Sequence, residues 1–156
     1  MPNQVHTNKS FIGRSVPRLE DKSLLTGHAT FVDDLDFPYQ RYMVIVRSPI
    51  AHGDLQSIDT VTAAQMPGID AVWTSADIAD IPDIPFRATR VKGLDPYRQP
   101  VLARDVVRYV GEPIAAVFAQ SARAAEDAAE WVTLEIEDRD ALLDACDRPR
   151  EFAYGH

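Results

Sequence analysis

Residues Val106 to Glu137 of this chain, VVRYVGEPIAAVFAQSARAAEDAAEWVTLEIE, constrain its fold more than any other stretch. The pattern predicts strand, tight turn, strand, helix, strand. Val106, Val107, Tyr109 and Val110 are β-branched or aromatic and suit a pleated, half-buried surface. Gly111-Glu112-Pro113 breaks the run, because Gly opens backbone angles closed to other residues and Pro has no amide proton for a ladder. Ile114 to Ala119 is an apolar run of the length of a buried strand. Ser121 can cap the next helix by accepting from an orphan amide of its first turn. Ala122, Ala125, Ala129 and Val132 share one helical face, with Glu126, Asp127 and Glu130 turned away. Thr133 to Glu137 then alternates, with Leu134 and Ile136 on one side. Alanines on the inner face imply a helix lying close against a sheet.

The rest of the chain supplies shorter elements. Met1 to Ser10 is polar and aperiodic, and a flexible N-terminal arm is expected over 1–10. Asp21 is placed to cap a short helix through Leu24 and Leu25, with Gly27 suited to a left-handed stop. Ala29 to Val32 is expected to be a strand, and Phe37-Pro38 a loop. Arg41 to Arg47 is apolar on both faces, which predicts a central, well-covered strand. Ser48 to Gly53 is rich in turn residues, and Leu55 to Ile58 is a short strand. Asp59 or Thr60 caps a helix through Ala63, Ala64 and Met66 that stops at Pro67-Gly68. Ile69 to Trp73 is the next strand, and Ser75 to Ile78 begins a helical turn.

Ile81 to Pro100 differs from its surroundings. Pro82, Pro85, Pro96 and Pro100, with Gly93 and several charges, mark a long surface loop. Val101 to Ala103 resumes strand character, and after Asp138 the pattern weakens. The sum is an α+β domain with about six to eight short strands in a single mixed sheet, two main helices on one side and one long Pro-rich loop. Strict alternation of strand and helix is missing, which argues against a doubly wound parallel fold.

Composition narrows the function classes. With 156 residues and 46% hydrophobic content, one domain with a packed core is expected. The net charge of −8 disfavours nucleic acid and an anionic membrane surface as partners. No apolar run approaches the roughly 20 residues of a spanning helix. MPNQVHTNKS is not a secretory signal, and the single cysteine, Cys146, allows no internal disulfide. A cytoplasmic location is expected.

Few residues have the pattern of chemistry. His6, His28, His52 and His156 are scattered, with no partner at metal-ligand spacing. Cys146 sits without an evident activating base. Asp33-Asp34, and Asp138 with Asp140, resemble strand ends and solvated loops. Val110-Gly111-Glu112-Pro113 lacks the repeated glycines of a dinucleotide loop. The expectation is therefore that no catalytic, cofactor-binding or metal-ligating residue lies in this chain. Glu112, held between Gly111 and Pro113, is either a positioned carboxylate at a cofactor or subunit contact or a turn acid accepting backbone amides. The second is favoured, since most loop acids are only solvated. Arg47-Ser48-Pro49 with His52 sets a cation, a hydroxyl and an imidazole at a strand end, which suits a partner surface and equally an ordinary turn. Arg47, Ser48, His52, Gly111 and Glu112 are the candidate interface residues.

Four ordered segments resemble a known family: Ile12-Gly13-Arg14 with Arg18-Leu19-Glu20-Asp21 and Leu25-Thr26-Gly27; Phe31-Val32-Asp33-Asp34; Val46-Arg47-Ser48-Pro49 with Ala51-His52; and Arg108 to Val117, RYVGEPIAAV. Together they resemble the N-terminal part of the molybdenum-binding large subunit of the xanthine dehydrogenase, aldehyde oxidase and carbon monoxide dehydrogenase family. The resemblance implies an α/β-hammerhead domain over residues 11–144. Residues 145–156 are then an exposed tail or the start of a downstream region. Where many relatives read Ala-His-Ala-Arg, this chain has Ala51-His52-Gly53-Asp54.

The same resemblance implies a parent enzyme that oxidises a small substrate. Molybdopterin would be its redox centre, with 2Fe-2S clusters and FAD on partner domains or subunits. Implied partners are the pterin-binding remainder of the large subunit, an iron–sulfur subunit and an FAD subunit. The family's pterin loops lie downstream of the hammerhead, so none of its molybdenum-site residues falls on this sequence. The expected role is a structural or assembly domain that leaves an apolar surface to be covered. The alternative is a free-standing, non-enzymatic binding module with the same fold.

Overall fold

The computed structural model describes residues 12–13, 15–87, 89–144 and 146–147. The expected N-terminal arm lies outside these residues, as do His6, His156 and all of the expected tail except Cys146 and Asp147. The chain divides into two compact units, residues 1–38 and 39–156.

The first unit holds a five-residue helix, α1 (Asp21–Leu25), and a 3-10 turn at Val32–Asp34. Asp21 is inside α1, not its cap, and its carboxylate accepts from the Arg18 amide at 3.0 Å. The strand expected over Ala29 to Val32 does not form. The Asp34 carboxylate takes the Phe31 amide at 2.8 Å and curls the backbone into the turn, a local bond that competes with any ladder.

Among the described residues the second unit contains six strands: β1 (Tyr42–Arg47), β2 (Gly53–Asp59), β3 (Ile69–Trp73), β4 (Val106–Val107), β5 (Pro113–Ala119) and β6 (Thr133–Asp138). Its helices are α2 (Val61–Ala64) and α3 (Ala122–Ala129). The α+β expectation is met. The expected single mixed sheet is instead two three-stranded sheets, ordered β1-β5-β3 and β4-β2-β6, and every pairing is antiparallel. The helices carry the chain between sheets, α2 from β2 to β3 and α3 from β5 to β6.

β5, not β1, is the central strand of its sheet. Five of its seven residues are buried, because Ile114, Ala115, Ala116 and Val117 are apolar on both faces and small enough for close neighbours. β1 occupies an edge and exposes Met43 and Arg47. Ala63 of α2, Ala128 of α3, Ala115 and Val117 of β5, and Val132 form one core cluster. Ile58 and Leu134 of the second sheet pack against it, so the two sheets share this core. Each fully buried Val or Ile side chain contributes roughly 1.5–3 kcal/mol.

The Ser121 hydroxyl accepts from the Ala124 amide at 3.2 Å, the expected cap, which contributes about 1 kcal/mol. The inner face of α3 is Ala125, Ala128 and Ala129, with Val132 buried just past the helix end, while Ala122 is exposed at the helix start. The apolar stripe therefore begins one turn later than expected. For α2, Asp59 is the residue that answers the first amide, accepting from Val61 at 2.9 Å. β4 ends at Val107 because Tyr109 and Val110 belong to the turn that follows. Leu102 and Ala103 are buried as core residues but form no strand. The described residues of 81–100 form the expected long loop, closed by a bridge between Ile84 and Gln99.

Candidate functional site

The structure brings four of the five candidate interface residues to one corner, between the end of β1 and the start of β5. The Gly111 amide donates to the Ser48 carbonyl at 2.8 Å, and the Ser48 amide donates to the Glu112 carbonyl at 2.9 Å. The Arg47 guanidinium donates to the Gly111 carbonyl at 2.8 Å, across 64 residues of sequence. The Glu112 amide donates to the Tyr109 carbonyl at 3.2 Å and closes a four-residue turn. Gly111 holds φ +89° in that turn, the third-position angle of a type II turn, which side chains with a Cβ resist.

Glu112 is only 2% exposed. Its carboxylate accepts from the Arg108 amide at 2.5 Å, and the Arg108 guanidinium lies 3.9 Å from its other oxygen. Burial raises its pKa above the ordinary 4.5, because the charged form loses its water. The Arg108 amide, the Arg108 charge and the Tyr109 amide act in the opposite direction, and burial outweighs them. This is the geometry of a turn acid that ties its own loop. Arg108, absent from the sequence-based candidates, completes it. Its position four residues before Glu112 was the available signal.

Ser48 is 3% exposed and is used locally. Its hydroxyl donates to the Ile50 carbonyl at 2.8 Å and accepts from the Ile50 amide at 3.2 Å. His52 is not part of this corner network. Its Nδ1 donates to the Asp140 carbonyl at 2.8 Å, and its own carbonyl accepts from the Arg139 amide at 3.0 Å. A carbonyl can only accept, so this bond places the ring proton on Nδ1. His52 therefore fastens the chain leaving β6 to the segment entering β2. Arg139 reinforces the join through Asp54 at 2.6 Å.

Gly53 sits in the same join. A Cβ there would lie 2.6 Å from the Glu137 carbonyl oxygen and 2.7 Å from the Ile50 side chain. Here the backbones of β2 and β6 approach too closely for any side chain.

A cavity of about 90 Å³, lined by Asp83, Pro100, Arg104, Asp105 and Arg108, adjoins the corner through Arg108. Arg104 pairs with Asp83 there. Among the described residues, no three His, Cys, Asp or Glu side chains gather as metal ligands would. Among the same residues, no helix is long and apolar enough to cross a membrane.

Comparison with known proteins gives this geometry its context. The chain is 44% identical over 147 residues to the nicotine 6-hydroxylase large subunit of Paenarthrobacter nicotinovorans, covering 94% of this chain and 18% of that protein. It is 33% identical over 128 residues to the carbon monoxide dehydrogenase large chain of Hydrogenophaga pseudoflava, covering 82% and 15%. Among solved structures, quinoline 2-oxidoreductase from Pseudomonas putida 86 superposes with a TM-score of 0.74 at 39% identity, covering 82% of this chain and 16% of that one. The chain thus spans less than a fifth of the length of these relatives. Residues 26–140 match the family described as aldehyde oxidase and xanthine dehydrogenase, a/b hammerhead domain, and the chain belongs to that family.

Proposed function

We propose that this chain is the scaffold domain of a molybdenum hydroxylase large subunit, and that its work is to hold neighbouring parts of the enzyme in place. The observation that carries this reading is the corner itself. Its polar groups are answered from within the chain: Glu112 by Arg108, Ser48 by Ile50 and Arg47 by Gly111. A group tied into its own turn has little freedom to hold a substrate or relay a proton. Arg47 lies at the exposed rim of the corner, and buried Ser48 and Glu112 with Gly111 hold it rigid from beneath, while His52 braces the separate join of β2 and β6, so that a neighbouring domain can pack against a fixed edge.

A second feature supports the same role. In the β1-β5-β3 sheet, Val46, Val72, Ala115 and Val117 point to the helices. Met43 and Trp73, on the opposite face by strand alternation, are 56% and 46% exposed. Trp73 meets Phe118 in a tilted ring contact, centroids 4.6 Å apart and planes at 59°. Among the described residues no helix of this unit covers that face, and a covering domain would remove it from water.

In the complete enzyme, molybdopterin would supply the oxidation chemistry and be held by the pterin-binding remainder of the large subunit. 2Fe-2S clusters and FAD on partner domains or subunits would carry the electrons away. We place the assembly in the cytoplasm, and we take residues 11–144 as the hammerhead domain. The test is to supply the purified chain with molybdenum cofactor and assay aldehyde or purine oxidation with a dye acceptor. No turnover is expected. Adding the pterin-binding remainder should give a stable complex. Turnover by the isolated chain, or failure of the two to associate, would refute the proposal.

A further inference from the structure

The long loop after β3 has a charge opposite to that of the molecule that bears it. Residues 84–99 hold four of the chain's 16 Lys and Arg, namely Arg87, Arg90, Lys92 and Arg98, but one of its 24 Asp and Glu, Asp95. The segment is therefore +3 in a chain of −8, and the remainder is −11. Arg98 is paired with Asp95 at 2.5 Å. Arg87, Arg90 and Lys92 are exposed and have no ion pair among the described residues.

The loop is held rather than trailing. The Ile84 amide donates to the Gln99 carbonyl at 2.9 Å, so the two ends meet. The Gln99 side chain donates to the Tyr109 hydroxyl at 3.0 Å, which fixes the closed loop to the turn that contains Gly111. Pro85 and Pro96 restrict the backbone, and a 3-10 turn spans Asp95–Tyr97. Such a loop loses little entropy when it is covered. It encloses a concavity of about 240 Å³ whose lining includes Phe86, Val91, Lys92, Leu94 and Arg98.

We propose that the Ile84–Gln99 loop is a docking element in which Arg87, Arg90 and Lys92, set beside the exposed Phe86 and Val91, seats on an acidic, partly apolar patch of a neighbouring protein domain. The choice of a hydroxylase domain or subunit as partner rests on the scaffold role proposed above. Cations alone would be a solvated face. The apolar side chains among them distinguish this loop, since Phe86 and Val91 gain only when a partner displaces water. A polyanion fits less well. Nucleic acid or an anionic bilayer extends beyond the loop and meets the −11 remainder, whereas a protein patch of the loop's own size does not.

The experiment uses the assembled hydroxylase, with this chain joined to or co-expressed with the pterin-binding remainder and the companion subunits. Zero-length carbodiimide coupling joins the Lys92 amine to any carboxylate it touches, with loss of water. Lys92 is expected to couple to an Asp or Glu of another domain or subunit. The charge reversal Arg87→Glu/Arg90→Glu/Lys92→Glu should weaken association of that component about tenfold, and the difference should shrink as salt rises. Circular dichroism of the variant should match the wild type. Coupling of Lys92 only within its own domain, or unaltered assembly of the triple variant, overturns the loop assignment alone. Loss of binding to a single-stranded oligonucleotide or to phosphatidylglycerol vesicles in that variant, with assembly intact, overturns it in favour of a polyanion. Failure of the wild-type chain to assemble overturns this proposal together with the scaffold role.

Discussion

The corner at Arg47–Ser48 and Gly111–Glu112 and the loop at Ile84–Gln99 are tied together through Tyr109, yet they treat polar groups in opposite ways. In the corner a carboxylate is buried and its partners are internal. In the loop, three cations face water with no internal partner among the described residues. The same chain thus uses charge once to hold itself and once in a form suited to something outside. Sequence position does not separate the two cases, since both are turn-rich, Pro-containing segments. What separates them is whether the fold brings a second segment within hydrogen-bond distance. Ser48 arrives beside Gly111 because β1 pairs with β5, whereas among the described residues no strand is paired along the loop between Ile84 and Gln99.

The contrast predicts unequal responses to mutation. The largest effect should come from Glu112→Ala, which leaves the Arg108 amide unanswered and opens a void where the buried side chain stood. A loss of about 3 kcal/mol is expected in a urea melt. A loss below about 0.5 kcal/mol would place the corner in the same class as the loop.

Next is Gly53→Ala. Its methyl must displace the Glu137 carbonyl or the Ile50 side chain, at a cost of about 2 kcal/mol. Ile50 is one of three obstacles, with the Glu137 carbonyl and the Ile136 side chain. Replacing Ile50 by a smaller residue in the Gly53→Ala variant should therefore cost less than the same replacement in the parent chain. Equal costs in both backgrounds would show that Ile50 is not an obstacle.

The third response is to pH. Burial raises the Glu112 pKa in the folded chain, so the folded state binds its proton more tightly than the unfolded state does. The stability this group contributes is fully present below about 4.5, its ordinary value, and is lost as pH rises through the folded pKa. Glu112→Gln cannot titrate. Its melting temperature should gain on that of the wild type as pH rises from below 4.5 to neutrality. A constant difference across that range would mean that Glu112 has the same proton affinity folded and unfolded.

The smallest response should be that of the loop. The triple reversal at Arg87, Arg90 and Lys92 should change the isolated domain's stability by less than about 0.5 kcal/mol, measured in the same melts. A larger loss would mean that these cations support the fold, and the contrast with the corner would disappear.

The organising stretch was legible because its signals are local. Ser121 caps the helix that follows it, Gly111 turns the chain, and the apolar run Ile114 to Val117 is buried on both faces. Where strand composition competed with a nearby turn bond or with the order of strand pairing, the sequence misled. Tyr109 and Val110 have strand chemistry but serve the turn, because the Glu112 amide bonds back to Tyr109. Ala29 to Val32 has strand composition, but the Asp34 carboxylate offers its backbone a nearer partner. β1 is as apolar as a central strand and lies at an edge, since pairing order depends on what β5 can accept on each side.

Candidate residues followed the same division. The chain's own residues determined that Arg47, Ser48, Gly111 and Glu112 were distinctive, and their order carried the family likeness. Only tertiary structure decided that these four converge, that Arg108 joins them and that His52 serves a different join. The physical reason is range. Caps, turns and periodicity act over a few residues, so composition and spacing record them. Strand pairing and burial act between residues 64 or 88 positions apart, as in Arg47 with Gly111 and His52 with Asp140, and no local pattern encodes which partner arrives.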